Sequence, residues 1–138
     1  MGTTENQQVV RDIFERGINQ RDESVFEEFL DPSYVNYDMP LPEPGPAGMR
    51  AVMGAFFAGF PDMRIVLEQT VGDGDLVCTR GYFEGTHDGD FMGVPATGKK
   101  VNVKYMDMWR LADGKAVENW VRLDMLGMMQ QLGVVPTS

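Results

Sequence analysis

Apolar positions along the chain fall into two periods, helical up to Phe60 and alternating from Met63 onward. Val9, Val10, Ile13, Phe14, Gly17 and Ile18 share one helical face, and Thr4 with Gln7 predicts a capping box at its start. Val25, Phe26, Phe29 and Leu30 predict a second, short helix that stops near Asp31-Pro32. A short strand is expected around 34–37. Between Met39 and Pro46 four prolines fall in eight residues, which neither a helix nor a sheet accepts, so this stretch reads as an internal loop. Met49, Val52, Met53, Phe56, Phe57 and Phe60 then form the face of a third helix, ended by Pro61.

Beyond Pro61 the pattern becomes that of strands. Met63, Ile65, Leu67, Gln69 and Val71 alternate with Arg64, Val66, Glu68 and Thr70. Gly72-Asp73-Gly74-Asp75 predicts a hairpin turn, with the next strand running from Leu76 to His87. A Gly- and Pro-punctuated loop follows, from Asp88 to Gly98. Strands are expected at about 100–111 and 115–124 around the turn Ala112-Asp113-Gly114. Met125 to Leu132 closes the chain as a helix, stopped by Gly133 and Pro136. Helices segregated from an antiparallel sheet predict a single α+β domain over residues 1–138. A curved sheet wrapped around helices leaves an open-ended cone, a natural pocket for a small molecule.

The last two strands each have two unlike faces. Val101, Val103, Tyr105, Asp107, Trp109 and Leu111 lie on one side of the first, and Asn102, Lys104, Met106, Met108 and Arg110 on the other. On the second, Glu118, Trp120, Arg122 and Asp124 oppose Val117, Asn119, Val121 and Leu123. The apolar, aromatic face is expected to meet a second subunit, giving a homodimer through the sheet. The face of Met, Trp, Arg and Asp is the expected pocket.

Composition narrows the function. With 12 Lys+Arg against 21 Asp+Glu, the net charge of −9 argues against a nucleic-acid partner. No apolar run approaches the ~18 residues of a membrane span, and the start MGTTENQQ lacks a signal-peptide pattern, so a cytoplasmic location off the membrane is expected. A lone Cys78 precludes an internal disulfide, and a lone His87 precludes a metal site built on several histidines. No cofactor is expected. The eleven methionines are mostly core by default, although flexible thioethers also suit irregular or flat ligands.

Asp124 is the leading acid/base candidate. At a strand end beside Met-rich sequence, desolvation would raise its pKa, while Arg122 and Arg110 nearby would keep it ionised. It also immediately precedes the last helix, where Asp is a favoured N-cap, and the two roles are compatible. His87 in Gly85-Thr86-His87-Asp88-Gly89 is a candidate partner to a substrate carbonyl or to Asp124, or else a turn histidine. Arg110 and Arg122 suit a carboxylate or an enolate oxygen, or ion pairs with Glu118 or Asp124. Trp120 is either a stacking platform or a core anchor. Phe14, Met53 and Met108 complete the expected pocket lining. Asp38 near the proline loop reads as a turn residue, with a base in a steroid-isomerase-like site as the alternative, and Asp73, Asp75, Asp88, Asp90 and Asp113 read as turn residues. Cys78 reads as core.

Three segments carry a family resemblance. Phe60-Pro61-Asp62-Met63 is the first, and the run from Gly85-Thr86-His87-Asp88-Gly89 through Phe91-Met92-Gly93-Val94-Pro95 to Lys99 is the second. The third is Asp113-Gly114-Lys115 through Glu118-Asn119-Trp120, with Asp124 and then Gln131-Leu132-Gly133-Val134. Together they resemble SnoaL-like polyketide cyclases of the NTF2-like superfamily, over nearly the whole chain. The resemblance implies an NTF2-like cone-shaped barrel, usually dimeric. It also implies a cofactor-free intramolecular aldol on an apolar or aromatic polycarbonyl ligand, with Asp124 at the family's acid/base position. Arg110 and Arg122 depart from the family pattern. Alternatives are another enzyme in the same cone, epoxide hydrolase or hydroxylase-like, and a non-catalytic small-molecule-binding module.

Overall fold

The computed structural model describes residues 2–135, and among them the element order expected from the sequence is present. α1 (Thr3–Asp12) runs without a break into a π-helical segment, Ile13–Asn19, followed by α2 (Ser24–Phe29), β1 (Leu30–Asn36) and α3 (Gly45–Gly59). The strands β2 (Arg64–Asp73), β3 (Leu76–Thr86), β4 (Lys100–Ala112) and β5 (Lys115–Leu123) come next, and α4 (Met125–Leu132) closes the chain. Gly133 ends α4 in the left-handed conformation, φ 80°, which glycine adopts at no steric cost. Pro136, the other expected stop, lies outside the described residues.

A single five-stranded sheet has the order β1-β5-β4-β3-β2. Strands β2 to β5 form the expected antiparallel meander. β1, however, pairs parallel to β5, Leu30 opposite Ala116 and Asn36 opposite Asn119, so the sheet is mixed rather than wholly antiparallel. The pairing shifts register between Leu30 and Val35, across Pro32, which has no N–H to donate to a ladder. Three further local expectations are corrected. Thr4 and Gln7 make no capping box, because the helix starts two residues earlier, at an N-cap Gly2 without a side-chain bond. In β2 a bulge between Leu67 and Gln69 inverts the alternation: Thr70 turns toward Arg11 and Gln7 of α1, and Val71 is left 57% exposed. Cys78 is only half buried, opposite Met108.

The helices lie on the concave side of the sheet, and this decides which strand faces are inside. Val101, Val103, Tyr105, Asp107, Trp109 and Leu111 of β4 are all buried, while Asn102, Lys104, Met106 and Met108 are exposed. The apolar face expected to meet a second subunit is therefore the inner wall. The Met-, Trp- and Arg-bearing face expected to hold the pocket is the convex exterior. Burial of the aromatic row is the cause: Trp109 stacks on Tyr34 at 6.1 Å and meets Phe14 edge-on at 5.8 Å, removing large apolar areas from water that the Met/Arg face could not match. Side chains partly cover the free edge β2 and the stretch of β5 that runs beyond its pairing with β1. Asn19 bonds both the N–H (2.7 Å) and the C=O (2.8 Å) of Ile65, and Asp38 accepts from the Val121 N–H at 2.7 Å. No helix among the described residues is long and apolar enough to cross a membrane.

Candidate functional site

The cone encloses a cavity of about 70 Å³ between the helices and the concave face. Phe14 and Ile18 reach it from the π-helical segment, Met49, Val52, Met53 and Phe56 from α3, and Tyr105, Asp107 and Trp109 from β4. Asn36, Asn119, Val121 and Leu123 line the side near β1 and β5. π-Helical turns frequently occur at functional sites, and this one carries two of the lining residues. A space of this size holds a few water molecules, so a ligand of more than one ring must extend through the mouth. There Met39, Val52, Phe56, Val121 and Leu123 are shared with a wider outer groove that continues past Met92 to Asp38 and Arg122.

One carboxylate lies in this apolar wall. Asp107 is 9% exposed, and its two oxygens are held separately. Thr79 Oγ1 donates to Oδ1 at 2.6 Å from the facing position on β3, and Trp109 Nε1 donates to Oδ2 at 2.9 Å. Burial pushes its carboxyl up to about 7, against the two hydrogen bonds that favour the charged form. Tyr105 Oη lies 3.1 Å from Thr79 Oγ1. Burial also pushes the Tyr105 and Tyr34 phenols above their usual range. On the β5 side, Asn119 Oδ1 accepts from Asn36 Nδ2 at 3.0 Å and from the Tyr34 hydroxyl at 3.3 Å, while its amide donates to the Met108 carbonyl. Asn36 in turn accepts from the N–H groups of Asp38 and Met39, and so ties the mouth loop to the sheet.

The structure separates the residues expected to share a site. Phe14 and Met53 line the cavity. Asp124 does not. It is exposed at the N-cap of α4, where Oδ1 accepts from Gly127 N at 2.9 Å. The absence of a Cβ at Gly127 leaves the room that carboxylate occupies. Of its two expected roles Asp124 has the cap, and it borders a charged groove on the convex side together with Arg80, Lys104 and Arg122. His87 is fully buried but away from the cavity. Its ring packs on Phe60 at 5.3 Å, and Nδ1 faces Thr97 Oγ1 at 3.0 Å and accepts from the Thr97 N–H at 3.3 Å, which anchors the 88–98 loop.

Arg110 pairs with Glu118 on the convex face, and Trp120 stacks there on Tyr37 at 5.3 Å. Met108 is 37% exposed on the same face. Arg122 pairs with Asp38 at 2.5 Å on the rim of the mouth groove, nearer the cavity than the other three but outside it. These four were expected inside because their face mixes polar and apolar groups. The missed residue is Asp107, and its signal was present: a single carboxylate interrupting an otherwise apolar and aromatic strand face. The Phe60-Pro61-Asp62 segment has a structural role. Asp62 accepts from both the N–H (2.7 Å) and the hydroxyl (2.8 Å) of Thr86, which holds its carboxyl below the usual range and ties the α3–β2 turn to the end of β3.

A family model described as SnoaL-like polyketide cyclase matches residues 8–132. Among solved structures, IdmH from Streptomyces antibioticus, a candidate polyketide cyclase, is 33% identical, with 93% of this chain and 98% of that chain covered and a TM-score of 0.80. A candidate SnoaL-like polyketide cyclase from a Jannaschia species is 27% identical, with 97% and 95% covered and a TM-score of 0.86. AclR from Streptomyces galilaeus, a candidate hydroxylase, is 28% identical, with 99% and 86% covered and a TM-score of 0.86. No curated protein matches.

Proposed function

This chain belongs to the SnoaL-like polyketide cyclase family, and from that premise we propose that it closes a ring by a cofactor-free intramolecular aldol on an apolar polycarbonyl substrate, with Asp107 as the general base. The observation that carries this reading is the buried carboxylate in the cavity wall, with its pKa raised to about 7. A base is most effective when its pKa lies near the working pH. A carbon flanked by two carbonyls is acidic enough for such a base, and the resulting enolate attacks a carbonyl further along the same molecule. One base contributes ~10²–10⁴-fold, and holding the substrate bent contributes through effective molarity. The narrow cavity and its continuous mouth groove suit a long substrate whose reacting end is inside and whose remainder lies along Met39, Phe56 and Met92. Asp124 remains a helix cap in this scheme, and His87 a loop anchor.

The test does not require the natural substrate. Benzoylacetone, an apolar β-diketone, exchanges its central C–H with deuterated solvent, and NMR follows the rate. The wild-type protein is expected to accelerate this exchange, Asp107→Asn to lower the acceleration ~10²–10⁴-fold, and Asp124→Asn to leave it unchanged. Full acceleration in a folded Asp107→Asn variant overturns the assignment. AclR's description favours a second reading, a hydroxylation in the same cone, for which label from ¹⁸O₂ in the product is the distinguishing result; an aldol incorporates none. We also propose a homodimer, now through the convex face, where Met106 is 62% and Tyr37 56% exposed. Sedimentation velocity of the wild type against Met106→Glu measures it, with a shift to monomer expected.

A further inference from the structure

Asp107 does not contact Thr79 alone. Thr79 Oγ1 is the middle member of a three-group chain, 2.6 Å from Asp107 Oδ1 and 3.1 Å from Tyr105 Oη. All three residues are buried, on the facing strands β3 and β4. Hydroxyl protons are few here, and their directions are coupled. With Asp107 ionised, its oxygens only accept, so Thr79 donates to Asp107 and Tyr105 must donate to Thr79. With Asp107 protonated and donating to Thr79, the Thr79 proton turns to Tyr105 Oη. The Tyr105 proton is then released from its partner. Trp109 N–H cannot reverse, because an indole nitrogen only donates, so it holds Oδ2 while Oδ1 carries the change. The chain thus converts proton uptake at Asp107 into a free O–H on Tyr105, a residue of the cavity wall.

We propose that Thr79 links Asp107 to Tyr105 as a two-way hydroxyl relay, and that Tyr105 returns to the substrate's new alkoxide the proton that Asp107 removed from carbon. This rests on Asp107 being the base. The atoms balance within one turnover. The substrate C–H bond breaks, and its proton goes to the Asp107 carboxylate while the electron pair becomes the enolate. The enolate carbon bonds to the acceptor carbonyl carbon, whose oxygen becomes an alkoxide. Tyr105 gives its proton to that oxygen, Thr79 gives its proton to Tyr105, and Asp107 gives its proton to Thr79. Product has the same formula as substrate, the carboxylate is restored, and no solvent proton is consumed. A phenol whose own ionisation is pushed up by burial suits this role: it stays protonated at rest and donates only to a strongly basic oxygen. Thr79 touches no substrate in this scheme and is a positioning residue. The other titratable groups in the neighbourhood are Tyr34 from β1, whose hydroxyl is engaged with Asn119, and Glu68 from β2, which lines the charged groove on the convex side that Tyr105 also borders and is not part of the cavity wall. From the π-helical segment, Phe14 meets the rings of Tyr105 and Trp109 and Ile18 lines the same cavity, and neither side chain titrates.

The relay is readable by NMR without any ligand, in the full-length protein labelled with ¹³C at the Asp carboxyl carbon and the Tyr phenolic carbon. As pH is raised through neutrality, the Asp107 carboxyl signal is expected to titrate and the Tyr105 phenolic signal to follow with the same midpoint, because its hydrogen bond reverses without the phenol ionising. Thr79→Val is expected to abolish the Tyr105 response while Asp107 still titrates, with a higher midpoint, and Thr79→Ser to restore both. Val nearly matches Thr in volume, and Ser controls for packing. A flat Tyr105 signal across a clear Asp107 titration overturns the relay and leaves the base assignment standing. An Asp107 carboxyl that does not titrate near neutrality overturns both. Tyr105→Phe adds a kinetic arm: it is expected to lower benzoylacetone exchange, but by less than Asp107→Asn does, since proton removal itself falls to Asp107. A loss as complete as in Asp107→Asn counts against the relay.

Discussion

Asp107 and Asp124 lie one strand apart and have opposite chemical situations. Asp107, on the concave face, has exchanged water for two donors and an apolar wall, and it keeps its proton to about 7. Asp124, on the convex side, stays exposed to water and gives one oxygen to the first turn of α4. The same contrast runs through β4 residue by residue: Tyr105, Asp107 and Trp109 inside, Met106 and Met108 outside, with Arg110 beside them paired to Glu118. A carboxylate's reactivity here is a property of the face it occupies. The mixed-polarity face, which resembles a pocket in the sequence, is the one turned away from the helices.

This comparison can be broken most severely through its two tryptophans. Trp109 is 1% exposed and packs on Phe14 and Tyr34, so Trp109→Ala is expected to cost about 3–5 kcal/mol in urea denaturation. Trp120→Ala on the convex face should cost far less, since its ring has Tyr37 on one side and partial solvent exposure. Equal losses would mean that the two faces do not differ in burial as described.

Next in size is the pH dependence of stability. In the unfolded chain an Asp ionises near ~3.9, whereas folded Asp107 holds its proton to about 7. Between these values the folded state binds one more proton than the unfolded state. Asp107 therefore makes stability fall as pH rises through that window and level off above 7, a contribution on the order of a few kcal/mol. Glu118 and Asp62, whose pKa values are lowered in the fold, act in the opposite direction and lose their contribution only in more acid solution. The measurement is the difference in unfolding free energy between wild type and Asp107→Asn across pH. A difference that does not change with pH would remove the burial argument.

A smaller effect is expected at the cap. Asp124→Ala should cost about 1 kcal/mol by thermal or urea unfolding, the usual value for a lost N-cap, and Asp124→Ser should recover most of it. Smallest is the convex ion pair. Arg110→Ala is expected to leave stability nearly unchanged, because the pair with Glu118 is exposed to solvent and screened by salt. A large loss of β-diketone exchange in either variant would return the convex face to consideration as the reactive one.

Much of the fold was legible in the sequence because it rests on short-range periodicity. Helical spacing located α1, α2 and α3, alternation located β2 to β5, and the Asp124-to-Gly133 segment carries both a start and a stop for α4. What escaped has one local and one long-range cause. The bulge after Leu67 inverts an alternation that reads as regular, and the parallel pairing of β1 joins segments about eighty residues apart, which no local pattern encodes. The site was legible only in part. Phe14 and Met53 follow from helix faces, whereas Met108, Arg110, Trp120 and Arg122 were assigned to the wrong side of the sheet.

The sequence by itself determined which residues share a face, because side-chain direction along a strand has a period of two and needs no partner. It also determined that Asp124 could cap a helix, since Asp124 and Gly127 are three residues apart. Only the tertiary structure decided which face is inside. An alternating strand looks the same from either side until the apolar stripe of α1 and its π-helical continuation docks on one of them. That docking buries Trp109 and, with it, the carboxylate two residues away.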